Sequence, residues 1–124
     1  MAKAEIDPKH ARELLDREHE RISKALADLD RAREGQVEEV KDDTDPLEVG
    51  GHIEEKTVDD ALARSLRGEL EAVKRAEERL EAGTYGVSVE SGEPIPRKRL
   101  EAVPWAERTA HEQKEYERVH GKPW

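Results

Sequence analysis

Apolar residues recur at steps of three and four along two stretches of this chain, and few fall elsewhere within them. From Pro8 to about Val40 the stripe is Ala11, Leu15, Ile22, Leu26, Leu29, Ala32 and Val37, interrupted by Glu18. In the second stretch it is Val58, Leu62, Leu66, Leu70, Val73, Ala76 and Leu80. This is the period of an α-helix with one narrow apolar side. The 124 residues include no Phe; 34% are hydrophobic and 43% charged. A chain so poor in large apolar groups cannot fill a broad globular core, but it can zip long helices along a thin seam. The expected fold is mostly α, with a long antiparallel coiled-coil hairpin over residues 1–82.

The helix ends are legible too. Asp7 is placed to cap orphan amides, and Pro8 suits the first helical position. Asp45-Pro46-Leu47-Glu48 resembles a capping box at the start of the second helix, and Gly83 follows its last stripe residue. Each helix has roughly 30 or more residues, on the order of 50 Å at 1.5 Å per residue. Gly35 weakens the first helix near its far end. The connecting turn, at about residues 41–51, is acidic: between Asp42 and Asp60 there are eight acidic residues and one basic, Lys56. A rod with a negative tip follows.

Residues 83–124 form a second region of different texture. Gly86, Gly92, Pro94 and Pro96 punctuate a segment suited to one small hairpin or knuckle. Arg97 to Val103 fits one or two helical turns ended by Pro104, and Ala106 to His120 a terminal helix with Gly121 as its cap. Tyr85, Val87, Ile95, Leu100 and Trp105 are its expected core.

Several function classes are disfavoured. A net charge of -9 opposes a nucleic-acid surface, whose affinity comes mainly from neutralising phosphates. Zero cysteines exclude disulfides and thiolate zinc sites. No apolar stretch resembles a signal peptide or approaches the ~20 residues of a membrane span, so a cytoplasmic protein is expected. No Ser/His/Asp or Cys/His arrangement and no phosphate loop accompanies the many carboxylates, which argues against an enzyme. Asp43 to Glu54 has the outline of a calcium loop, but Leu47 and Glu48 occupy positions of an oxygen ligand and the required Gly. His111 beside Glu112, with His120 further along, is a poor zinc shell; like His10, His19 and His52 it reads as solvated. Arg97-Lys98-Arg99, the one concentrated basic run, is either a solvated turn or a docking contact.

The segment Gly83 to Gln113, GTYGVSVESGEPIPRKRLEAVPWAERTAHEQ, resembles the finger of the DksA/TraR family (DnaK suppressor type) of bacterial RNA polymerase-binding regulators. In that family a Tyr-Gly turn leads into Cys-x-x-Cys-Gly-Glu-Pro-Ile, then Arg-Leu-Glu-Ala, Pro-x-Ala and a second Cys-x-x-Cys. The framework stands here as Tyr85-Gly86, Gly92-Glu93-Pro94-Ile95, Arg99-Leu100-Glu101-Ala102 and Pro104-Trp105-Ala106. Ser88, Ser91, Thr109 and Glu112 hold the four thiolate positions. The resemblance implies a helical hairpin carrying a small finger-like region and a C-terminal helix, here degenerate and zinc-free, with no metal or other cofactor.

It further implies RNA polymerase as the partner, entered through the secondary channel with the acidic tip near the catalytic magnesium. In the tip motif Asp-x-x-Asp-x-Ala, Asp45 matches the first Asp, Glu48 stands for the second and Gly50 replaces Ala. With Asp42 and Asp43 these form the expected polymerase-contacting tip, while Arg97, Lys98 and Arg99 offer the docking contact. The basic residues that answer guanosine tetraphosphate in some members correspond to Ala72, Val103 and Gln113, so a strong response is not expected. A monomer is the default, since each stripe is covered by its hairpin partner; neither membrane nor direct DNA contact is implied. The altered tip leaves open a second role: an interaction module or stress-related adaptor that keeps the scaffold and no longer acts on polymerase.

Overall fold

The structure is a computed structural model. It describes the backbone of residues 4–42 and 46–122 and the side chains of residues 4–32 and 58–122. Four helices follow in order: α1 (Pro8–Asp42), α2 (Pro46–Ala82), α3 (Arg97–Ala102) and α4 (Ala110–His120). The 35-residue α1 and 37-residue α2 pack against each other as a hairpin. Among the described residues there is no strand, only an isolated antiparallel bridge between Val87 and Pro94, and no helix is long and apolar enough to cross a membrane.

The ends of the long helices follow local chemistry. The Asp7 carboxylate accepts from the Lys9 amide at 3.1 Å, serving an orphan donor of α1. At the far end of α2, the Gly83 amide donates to Leu80 O and the Thr84 amide to Arg79 O, at 3.2 and 2.8 Å. These are the two bonds of a Schellman motif, which needs the left-handed backbone that Gly83 supplies at φ 80°.

The seam buries Ala11, Leu15 and Ile22 against Val73 and Ala76, with Leu26, Leu66, Leu70 and Leu80 packed alongside. Two expected stripe members are not in it: Val58 is 67% and Leu62 50% exposed, and Ala63 is buried instead. Helical geometry explains the difference. Steps of four overshoot a 3.6-residue turn by about 40° each, so 70, 66, 62 and 58 walk steadily off the seam. Seven residues back from Leu70 stays within about 20° of it, and that position is Ala63. On α1, Ala32 is likewise exposed, and Val37 lies outside the described side chains.

The seam continues into the end region. Tyr85, Ile95, Leu100 and Ala106 are buried in the same cluster as Leu15 and Val73. Of the other residues expected in this core, Trp105 packs half-buried against it, and Val87 is half-buried outside the cluster. Ile6, ahead of α1, completes the cluster. The segment around it runs so close that a Cβ on Gly86 would stand 2.5 Å from the Ala4 Cβ. The terminal helix begins at Ala110 rather than Ala106, because Thr109 caps it and residues 106–109 are irregular, with a bend at Arg108.

Candidate functional site

The turn after α2 folds back on itself as a knuckle. Gly86 O accepts from the Ile95 amide at 2.9 Å, Glu93 O from the Ser88 amide at 2.8 Å, and Ser88 O from the Gly92 amide at 3.0 Å. Inside this turn the buried Ser88 hydroxyl oxygen accepts from the amides of Glu90 and Ser91, at 3.1 and 3.2 Å. The Ser91 oxygen accepts from the Glu93 amide at 3.3 Å. Serines at these positions satisfy turn amides through short side chains, as they do in ST-turns.

Opposite the knuckle, α4 opens with a capping box. Thr109 Oγ1 accepts from the Glu112 amide at 3.2 Å, and the Glu112 carboxylate accepts from the Thr109 amide at 2.9 Å. The Ser88 and Ser91 hydroxyls lie near the same carboxylate. The Thr109 backbone bond first, then these hydroxyls, hold Glu112 down at about 2, against an ordinary 4.5. The four positions that the sequence pairs with zinc ligands therefore do come together. Their donor set is three neutral hydroxyls and one carboxylate, already engaged with backbone amides, and it does not fit zinc. Among the described residues no cluster of three His, Asp or Glu is arranged to hold a metal.

A second convergence was not visible in sequence. Glu107 lies between three arginines: Arg75 Nε donates to it at 2.7 Å and Arg79 Nη1 at 3.0 Å, while Arg108 Nη1 stands 3.6 Å away. Burial pushes the Glu107 carboxyl up, but the bonds and charges of Arg75 and then Arg79 outweigh it and leave the group below the usual range. Arg79 goes the other way. Burial lowers its pKa more than Glu107 restores it, and its Nε and Nη2 are buried without a partner. The asymmetry is real, because Glu107 has three cations and Arg79 shares one anion. Arg108 also donates to Glu90 at 2.8 Å and lies 3.8 Å over the Tyr116 ring, tying α4 to the knuckle. The buried Tyr85 hydroxyl donates to Pro104 O at 2.8 Å, and burial pushes it up to about 12.

The basic run 97–99 does not present one surface. Arg97 and Lys98 are exposed, with Arg97 paired to Glu101 at 2.9 Å. Arg99 turns inward and donates to Arg108 O at 2.9 Å. It lines a cleft between α2 and α4 that also receives Ala72, Val103 and Gln113, the positions aligned with effector-binding residues. Arg75, Arg108 and Lys122 share that cleft; sequence reasoning did not single them out, and two of the three are already engaged by Glu107 and Glu90. At the other end of the rod, Asp42 ends α1, and Glu48 and Gly50 fall in the first turns of α2. Their side chains, together with Asp43 and Asp45, lie outside the described residues.

Residues 83–118 match the prokaryotic dksA/traR C4-type zinc finger family. The chain is 33% identical over 101 residues to general stress protein 16O of Bacillus subtilis, covering 77% of this chain and 62% of that protein. It is 34% identical over 84 residues to an uncharacterized protein of Aquifex aeolicus, covering 68% and 58%. The structure of transcription factor DksA2 from Pseudomonas aeruginosa superposes with a TM-score of 0.57 at 25% identity, covering 94% of this chain and 95% of that one. The chain belongs to the DksA/TraR family. It is a cysteine-less member, with the family's helical hairpin and finger-like region. It spans about three fifths of the length of the two sequence relatives.

Proposed function

We propose that this DksA/TraR protein is a non-catalytic transcription regulator that binds RNA polymerase, with the hairpin entering the secondary channel and the acidic turn approaching the catalytic centre. The observation that carries it is the hairpin: two helices of 35 and 37 residues, joined at the acidic turn and rooted in a finger-like base, superposable over nearly its whole length on a DksA transcription factor. Asp42, Asp43, Asp45, Glu48 and Gly50 are the residues proposed to act at the tip. Arg97 and Lys98, exposed at the base, are proposed to dock on an acidic polymerase surface, with Arg99 holding the turn that carries them. Three effector-aligned positions without a charge, in a cleft whose arginines are partnered, favour weak dependence on guanosine tetraphosphate. The test is direct binding to purified core RNA polymerase, in competition with another secondary-channel factor. Competitive binding at micromolar affinity or tighter is expected; none at tens of micromolar would refute it.

A second reading has one observation in its favour, the similarity to a protein named for general stress. A stress-related adaptor on the same scaffold would show no competition at the secondary channel.

A further inference from the structure

We propose that the base of the hairpin carries an oxyanion-binding site that the chain fills with its own carboxylate, Glu107, and that a phosphate-bearing anion enters only where that carboxylate is withdrawn. This site is independent of polymerase binding and uses none of the effector-aligned positions. Arg75 and Arg79 stand four residues apart on α2, so their side chains leave the same face of one helix. Arg75 Nε donates to Glu107 Oε1 at 2.7 Å, and Arg79 Nη1 donates to the same oxygen at 3.0 Å. Arg108 Nη1 stands 3.6 Å from the other oxygen, Oε2.

Two features set this group apart from an ordinary ion pair. The first is a surplus of donors and of charge. Arg79 Nε and Nη2 are buried without a partner among the described residues, and Arg108 is shared with Glu90 at 2.8 Å. Three guanidiniums thus meet two carboxylates, in a chain whose net charge is -9. A carboxylate offers two oxygens, whereas a pyrophosphate offers more oxygens and more charge to the same guanidinium forks. The second feature is access. Arg75, Glu107 and Arg108 line the cleft between α2 and α4, whose volume of about 530 Å³ falls within the roughly 300–1,000 Å³ of small-molecule sites. Glu107 belongs to the irregular segment before α4, where its carbonyl accepts from the Val89 amide at 2.9 Å. Two of its three cations belong to a long helix. The cations are therefore fixed by the scaffold, and the anion that fills them is carried on a loop.

The experiment uses the full chain and inorganic pyrophosphate, at constant ionic strength so that screening is equal in every sample. The parent's melting temperature should move by less than about 1 °C, because Glu107 already occupies the arginines. Glu107→Gln should gain about 4–8 °C once pyrophosphate reaches about ten times its Kd, and calorimetry should give that variant an affinity at least about tenfold above the parent's. If Glu107→Gln does not fold alone, pyrophosphate should restore its helical circular dichroism. The side-chain Nε resonances of Arg75 and Arg79 should shift on binding. The double variant Glu107→Gln, Arg79→Met should respond as little as the parent. An equal response in parent and Glu107→Gln, no response in Glu107→Gln, or an undiminished one in the double variant would overturn the proposal.

Discussion

Replacing Glu107 by Gln should destabilise this protein far more than replacing the arginine it buries. Arg79 has one counter-ion, Glu107, and two of its donors are already buried without partners. Removing the charge of Glu107 leaves a guanidinium 85% out of solvent facing Arg75 with no anion between them. Stripping one partner from a fully buried pair costs about 3–5 kcal/mol. Arg75 is about half exposed and water can reach one side of the group, so roughly 2–3 kcal/mol is expected here.

Arg79→Met is different, because Glu107 keeps Arg75 and Arg108 and the thioether fills the same channel; its cost should stay below about 1 kcal/mol. In the double variant no buried charge is stranded, so stability should recover most of what Glu107→Gln loses, with a coupling of at least about 1.5 kcal/mol. For a chain of this length 1 kcal/mol is about 4 °C, so thermal melts followed by circular dichroism should show Glu107→Gln lower by about 8–12 °C and the double variant close to Arg79→Met. A Glu107→Gln variant within about 2 °C of the parent would refute the reasoning, and so would a double variant no better than the single.

Acid should open the finger before the hairpin. Glu112 is held near 2 in the folded chain, so its contribution is complete above an ordinary carboxylate's 4.5 and is lost as pH falls from there toward 2. Glu107, also below its usual range, titrates in the same direction, so the diagnostic is the difference curve: parent minus Glu112→Gln stability, measured by denaturant melts, should shrink through that window and be flat above it. Gly86→Ala should destabilise by more than about 1 kcal/mol, because φ is +82° and the new Cβ would meet Ala4; hydrogen exchange at residues 4–7 should rise with it. At the tip, the double change Asp45→Asn, Glu48→Asn should abolish the effect on transcription in vitro while affinity for polymerase stays within a few-fold. Normal regulation by that variant would mean the tip is not the active element.

What sequence revealed and what it concealed divide along physical lines. Features set by neighbours along the chain were readable: Asp7 at one helix start, Gly83 at another's end, the turn signals between them. The start of α4 was local as well, yet it was misplaced by four residues. Thr109 and Glu112 align with metal positions of the family, and that alignment masks their other pattern, Thr-x-x-Glu, which is the signature of a capping box. Ile6 carried a similar local sign. It stands one residue before the cap Asp7 with Ala11 at the fourth helical position, the spacing of a hydrophobic staple, and both are buried in the core. The group around Glu107 had no such sign, since it draws on residues 75, 79, 90 and 108, which only the folded chain brings together.

The loss of four thiolates looks prohibitive when counted bond by bond. A structural zinc contributes on the order of 10 kcal/mol, and each hydrogen bond of the Glu112 group about 1 kcal/mol net. The comparison changes once the base is seen as part of the hairpin. Ile95 and Leu100 are completely buried, and they share a cluster with Leu15 and Val73 of the two long helices. Burying one such side chain is worth about 1.5–3 kcal/mol, comparable to two or three of the bonds that replace the metal. Tyr85, the Glu107 group and the α4 cap add further ties between the same elements. A finger standing alone must be held by its metal, whereas a finger docked on a coiled coil draws its fold from the helices beneath it. The capping box of Thr109 and Glu112 then has only to fix the start of α4, and the serine hydroxyls only their own turn.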